Sequence, residues 1–168
     1  MSERVCLRVA SPEAMRRLGE RLGGLLQPGD FVGLIGELGA GKTVLARGVA
    51  EGAGVPAGQV ASPSFAIVYT YAGRFPLHHA DFYRLSDEEE LYATGFYDLL
   101  GGDAATLVEW LDRIPEAAPS EHLVLRIEGS GEDVRQIGLE PRGARHERLA
   151  RALAEGFEEG PEAVTDRD

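Results

Sequence analysis

The chain is poor in cysteine, methionine, tryptophan and, above all, lysine. Cys6 is the only cysteine among 168 residues, so no disulfide forms within the chain and a reducing compartment suits it. No apolar run approaches the ~20 residues that a membrane-spanning helix needs. The opening segment Ser2-Glu3-Arg4-Val5-Cys6-Leu7-Arg8-Val9 carries charges where a signal peptide would have its apolar stretch. Together these absences predict a cytoplasmic protein with no membrane contact. Positive charge is also scarce. The net charge is −11, which opposes sequence-independent binding to a phosphate backbone, because that binding depends on Lys and Arg releasing counterions. Arg142, Arg145, Arg148 and Arg151 do cluster, but Glu140, Glu147 and Glu155 interleave with them, and the group reads as a solvated helix face. Any nucleic acid is then expected to be held by a partner. The length and a hydrophobic content of 43% suit one domain with a core of its own.

The one lysine is informative because of where it stands. Against sixteen arginines, Lys42 lies in Gly36-Glu37-Leu38-Gly39-Ala40-Gly41-Lys42-Thr43, the GxxxxGK[ST] pattern of a phosphate-binding P-loop. A compact ammonium with rotatable donors fits among clustered phosphate oxygens, where a planar guanidinium is too broad. Phe31-Val32-Gly33-Leu34-Ile35, bounded by Pro28-Gly29-Asp30, reads as a buried strand before the loop. Val44 or Leu45 with Val49 gives helical spacing after it. A helix starting there aims free N–H groups and its positive end at bound phosphates. Gly39 and Gly41 let the backbone turn and approach an anion closely. Lys42 is expected to reach the β- and γ-phosphates, and the Thr43 hydroxyl to hold Mg²⁺.

Along the chain, Val5, Leu7 and Val9 alternate as a first strand. Ser11-Pro12-Glu13 opens a helix with the stripe Met15, Leu18, Leu22 and Leu25. Gly52-Ala53-Gly54 ends the P-loop helix, and 55–61 reads as a loop. Ser64 to Tyr71 and Arg74 to Tyr83 read as an antiparallel strand pair joined at Gly73. Ser86-Asp87-Glu88-Glu89 reads as a capping box opening an acidic helix. Thr106-Leu107-Val108, Leu123 to Ile127 and Arg135 to Leu139 are further strands, and Arg145 to Phe157 is a closing helix with Leu149 and Leu153 inward. The expected architecture is a single α/β P-loop NTPase domain over 1–157, its mixed parallel and antiparallel sheet flanked by helices. The acidic segment 158–168 is expected to be a disordered tail.

A nucleotide site also needs an acid for Mg²⁺ and a group to position the attacking water. Glu109 ends a strand where a carboxylate would emerge beside the P-loop. Asp81 lies in His78-His79-Ala80-Asp81-Phe82-Tyr83-Arg84; in an extended segment His79, Asp81 and Tyr83 share one face. A polar row pointing inward suits a site, although an aspartate that anchors a turn fits equally well. Two adjacent histidines point opposite ways, with too few other ligands for zinc. Ser62-Pro63-Ser64-Phe65 precedes a strand, and its hydroxyls suit a γ-phosphate sensor, with a plain Ser-Pro turn as the commoner alternative. Trp110 reads as a packing residue placed beside the site.

Taken in order, Gly36-Glu37-Leu38-Gly39-Ala40-Gly41-Lys42-Thr43, Ser62-Pro63-Ser64-Phe65, His79-Ala80-Asp81-Phe82-Tyr83-Arg84-Leu85 and Val108-Glu109-Trp110 resemble the TsaE (YjeE) family of bacterial ATPases of tRNA threonylcarbamoyladenosine biosynthesis. The resemblance spans about Ser11 to Gly143. Ser64 stands where the family usually has threonine, and Phe82 where leucine is common. The resemblance implies an ATPase that binds ATP with Mg²⁺ and works with a TsaB–TsaD pair, which transfers the threonylcarbamoyl group to the adenosine beside the anticodon; tRNA is touched only through those partners. It also implies Lys42 and Thr43 at the phosphates and metal, Glu109 as the Mg²⁺-side acid, Asp81 as a second acid near the γ-phosphate, and Ser62 and Ser64 in a switch-like loop. Ser11 and Arg135 are implied near the base or sugar. Two other classes fit the P-loop alone: a small-molecule kinase, and a non-catalytic nucleotide-gated binding module.

Overall fold

A computed structural model describes residues 4–37, 39–60, 67–129, 132–157 and 164–166. The alternation at the start of the chain becomes β1 (Arg4–Val9). Extended Ser11 then stops the strand and caps α1 (Pro12–Leu25), its Oγ accepting the Ala14 N–H at 3.1 Å. Met15, Leu18 and Leu22 are buried. β2 (Phe31–Gly36) runs into the P-loop, which opens directly into α2 (Lys42–Gly52). A 3₁₀ turn at Ala57–Gln59 follows. β3 (Val68–Ala72) and β4 (Pro76–Asp81) form the expected antiparallel hairpin around Gly73; β4 is shorter than the sequence pattern indicated, and residues 64–66 of the expected first strand lie outside the described residues. α3 (Glu88–Ala93) and the one-turn α4 (Phe96–Leu99) lead to β5 (Ala105–Glu109). β6 (His122–Gly129), β7 (Arg135–Arg142) and α5 (Ala144–Gly156) complete the domain. Within the acidic tail, for which composition predicts no order, Val164–Asp166 forms β8 along β1. The free edge of β1 supplies unpaired backbone groups that a Val-Thr pair can meet.

The eight strands lie in the order β3-β4-β5-β2-β6-β7-β1-β8. The central four, β4, β5, β2 and β6, are parallel; β3, β7, β1 and β8 each pair antiparallel with their inner neighbour. Both faces are covered, as parallel strands require. Val32, Leu34 and Leu107 join one core with Leu18 and Leu22 of α1, Val49 of α2 and Leu149 of α5. Phe31 and Val108 face the other way, into a smaller core with Phe82, Leu91, Phe96 and Ile114.

α1 and α2 are in backbone contact. Gly19 and Gly23 of α1 meet Gly48 and Gly52 of α2, so a Cβ at Gly48 would stand 2.3 Å from the Arg16 carbonyl oxygen, and one at Gly23 2.1 Å from that of Val49. The helix bearing Ser11 and the helix bearing Lys42 therefore pack at the closest spacing a backbone allows.

Two other expectations change. The capping residue of α3 is Asp87, not Ser86: Asp87 Oδ1 accepts the Glu90 N–H at 2.8 Å, while the Glu90 carboxylate reaches back to the Ser86 N–H. The cap forms one residue later because the carboxylate is the stronger acceptor, and the return bond goes to the residue before the cap rather than to the cap itself. Arg145 leaves the solvated face on which Arg148 and Arg151 remain. It grips buried Asp30 with two bonds, Nε to Oδ1 at 3.0 Å and Nη2 to Oδ2 at 2.7 Å, and also donates to the Leu25 carbonyl. Beside it, buried His146 accepts the Phe31 N–H on Nε2 at 3.1 Å. A carboxylate at 3% exposure needs such a partner, and α5 supplies it from 115 residues away.

Candidate nucleotide site

Topology brings the expected site segments to one edge of the sheet. β1, β2, β4 and β5 all end there, delivering Ser11, the P-loop, Asp81 and Glu109. β7 runs the other way, so its first residue, Arg135, starts at the same edge. The start of β3 lies there too, after the segment containing Ser62 and Ser64; both serines, with Leu38, lie outside the described residues.

Gly39 (φ 82°) and Gly41 (φ 108°) take the left-handed conformation that residues with a Cβ avoid, and no side chain caps Gly41 at the start of α2. The first N–H groups of that helix are thereby left to an anion. Lys42, 5% exposed, is folded back: Nζ donates to the Gly36 carbonyl and to that of Glu37 at 2.7 Å, and lies 4.0 Å over the Trp110 ring. Burial lowers the Lys42 pKa, opposed by Glu109, Asp112, Asp81 and Glu37. Trp110 itself sits at φ 60°, the only non-glycine residue among those described in the left-handed region. Its indole contacts both Lys42 and the Tyr83 ring, the latter 4.9 Å away. Strain of this kind persists only where its surroundings enforce it.

The acid side is fixed by a chain of bonds. Thr43 Oγ1 donates to Glu109 Oε1 at 3.3 Å, and Glu109 Oε2 lies 2.7 Å from His79 Nε2. His79 Nδ1 in turn lies 3.2 Å from the Tyr71 hydroxyl. Glu109 and His79 are each 2% exposed. Among the described residues no three His, Cys, Asp or Glu side chains gather to hold a metal by themselves. A hydroxyl and a carboxylate meeting at the loop instead suit Mg²⁺, a hard cation that takes one or two protein oxygens and fills its other positions with waters and phosphate oxygens.

Asp81 pairs in register with Glu109 across β4 and β5. It does anchor a turn, accepting the Tyr83 N–H on Oδ1 at 2.9 Å. It also feels the site: burial raises its pKa and Glu109 adds to the rise, against the Tyr83 N–H, His79 and Lys42. His78 points away from this network and meets the Thr70 hydroxyl at 2.8 Å.

Arg135 braces the loop rather than standing free beside it, with Nε donating to the Ala40 carbonyl at 3.1 Å and other bonds to the carbonyls of Gly39, Glu132 and Val134. A cavity of about 670 Å³ opens beside Gly36, Glu37, Ala40, Trp110 and Arg135, within the range of small-molecule sites. Ser11 and Arg135 meet with Met15 and Gly41 around a smaller hollow of about 140 Å³ on the outer side of the loop. Of the residues expected from the sequence, the structure brings Lys42, Thr43, Asp81 and Glu109 to one edge, and the support of Glu109 by Tyr71 and His79 was not foreseen. The inward polar row was its one signal, and the hydrogen-bonded order is set by pairing between strands.

Residues 9–137 match the family model described as threonylcarbamoyl adenosine biosynthesis protein TsaE. The chain belongs to the TsaE family. A relative from Bacillus subtilis, named tRNA threonylcarbamoyladenosine biosynthesis protein TsaE, is 38% identical over 148 residues, covering 88% of this chain and 92% of its own. A relative of the same name from Streptomyces coelicolor is 40% identical over 138 residues, covering 78% and 93%. The crystal structure of Bacillus subtilis YdiB superposes with a TM-score of 0.73 at 32% identity, covering 92% of this chain and 97% of that one. The P-loop, Glu109 and the β4 segment through Asp81 all fall inside the family match, and the acidic tail falls outside it.

Proposed function

We propose that this TsaE family member binds and slowly hydrolyses Mg-ATP in the cytoplasm to support a TsaB–TsaD pair in the threonylcarbamoyl modification of tRNA. The observation that carries the reading is the meeting of Lys42, Thr43 and Glu109 at one sheet edge, with the N-terminus of α2 uncapped between them. Phosphates entering the loop take Lys42 from the carbonyls of Gly36 and Glu37. Thr43 and Glu109 hold Mg²⁺, which neutralises phosphate charge when bound. Since Glu109 is committed to Thr43 and His79, Asp81 is the acid left to position the attacking water. Ser62 and Ser64 are the proposed γ-phosphate sensors, and Ser11 with Arg135 lines the base or sugar end.

Unaided turnover is slow in this reading, because the two arginines lining the cavity beside the loop are engaged, Arg135 on loop carbonyls and Arg126 on Glu140. Transition-state charge is then left for a partner to neutralise. The net charge of −11 suits a protein that leaves tRNA to its partners. The test is ATP hydrolysis and binding by the protein alone and with TsaB–TsaD. Partner stimulation that is lost in Lys42→Ala, together with nucleotide binding, supports the reading. Near-normal ATP affinity in Lys42→Ala refutes the site. Tight ATP binding with no hydrolysis, alone or with partners, replaces the ATPase with a nucleotide-gated binding module.

A further inference from the structure

Glu109 has three rotatable bonds and is buried at 2% exposure, yet its two oxygens are given separate tasks. Oε1 faces Thr43, and Oε2 is taken by His79 at 2.7 Å. An ionised carboxylate only accepts, so His79 Nε2 donates to Glu109, while Nδ1 on the far side of the ring meets the Tyr71 hydroxyl at 3.2 Å. Tyr71 is 6% exposed and packs its ring 5.8 Å from that of His79. Three strands supply the line, β3, β4 and β5, with Tyr69 and His79 directly paired in register and Leu107 opposite His79 on the other side. Support of this kind is what fixes a metal-binding carboxylate in one orientation.

We propose that Tyr71 and His79 are positioning residues that hold Glu109 in the orientation that lets it share a divalent cation with Thr43. Neither touches the cation or nucleotide. This rests on the site proposed above. Removing His79 leaves the carboxylate buried with one partner fewer and free to turn from Thr43, so cation affinity falls while the phosphate cradle of Gly36–Thr43 keeps its shape. Tyr71→Phe leaves the imidazole but releases its tautomer and tilt, a milder loss.

The experiment titrates Mn²⁺ into the full chain with a bound fluorescent ATP analogue, and separately measures affinity for that analogue in EDTA. His79→Ala is expected to raise the half-saturating Mn²⁺ concentration on the order of 10–100-fold, with affinity in EDTA unchanged. His79→Gln restores an N–H near the Nε2 position and recovers most of the loss; Tyr71→Phe raises the Mn²⁺ requirement a few-fold. Wild-type Mn²⁺ affinity in folded His79→Ala, or in Tyr71→Phe should His79→Ala fail to fold, overturns the positioning role and leaves the parent site standing. Equal losses with Mn²⁺ and in EDTA also overturn it, because they mark a general packing role. Absence of any Mn²⁺ effect in the wild type removes the parent site instead.

Discussion

Gly48→Ala tests whether the contact between α1 and α2 is as close as its geometry implies. The new Cβ would stand 2.3 Å from the Arg16 carbonyl oxygen and 3.1 Å from both the Glu20 nitrogen and the Gly19 Cα. Ordinary contact begins near 3.4 Å, so the helices must part by close to one ångström. The obstructing atoms are helix backbone, with no side-chain end that can swing aside. Overpacking a tight core costs about 1–3 kcal/mol, and the upper end applies where nothing flexible yields. Alanine returns about 1 kcal/mol of helix propensity. The net expectation is a loss of about 2 kcal/mol. Gly24→Ala is the internal control: it lies in α1, exposed, with nothing within 4 Å of its added Cβ, and gains about 0.5–1 kcal/mol. Urea unfolding followed by circular dichroism measures both. Gly48→Ala as stable as wild type would refute the close-contact argument, whatever Gly24→Ala does.

Glu109→Ala is expected to lower ATP hydrolysis far more than ATP binding, checked by comparing the maximal rate at saturating Mg²⁺ with nucleotide affinity. Trp110 is the only tryptophan and lies 4.0 Å from Lys42 Nζ; its emission is expected to change as nucleotide draws Lys42 away, and a spectrum indifferent to saturating ATP contradicts the coupling. Asp30→Ala strands Arg145 and is expected to cost about 3 kcal/mol by urea unfolding, as losing one partner of a buried pair does. His146 is held below its ordinary pKa by burial, against the pull of Asp30. The unfolded chain therefore takes up that proton first as pH falls through about 6.5, and stability present above that pH is lost on acidification. His146→Gln, which keeps an acceptor for the Phe31 N–H, is expected to flatten the stability difference between pH 7.5 and 5.5, and an unchanged slope would exclude His146 as its source.

What was legible in the sequence was what is local. The P-loop, its flanking strand and helix, the Ser11 cap and the β3–β4 hairpin are written in contiguous residues, and the TsaE pattern gathered them in order. Glu109 was legible because strand ends in parallel sheets have a known polarity. Arg145 was misread because its partner, Asp30, lies 115 residues away and helical spacing cannot reveal that. The support of Glu109 by His79 and Tyr71 depends on which strands are neighbours, and the hairpin had to be placed beside β5 before it could be seen. The contact of Gly19 and Gly23 with Gly48 and Gly52 is not written in the sequence, which shows a glycine's propensity penalty but not the neighbour whose approach requires it.

The sheet has two poles with different work. At one, the ends of β1, β2, β4 and β5 and the start of β7 converge on the candidate nucleotide site. At the other, Asp30, Arg145 and His146 tie α5 to the start of β2. The exposed turn Gly101-Gly102-Asp103 lies at this second pole, just ahead of β5, and so stands a strand's length, roughly 17 Å, from Glu109. A fluorophore, a surface tether or a new pair of chain termini placed there reaches the protein from behind, leaving the edge that carries the P-loop open.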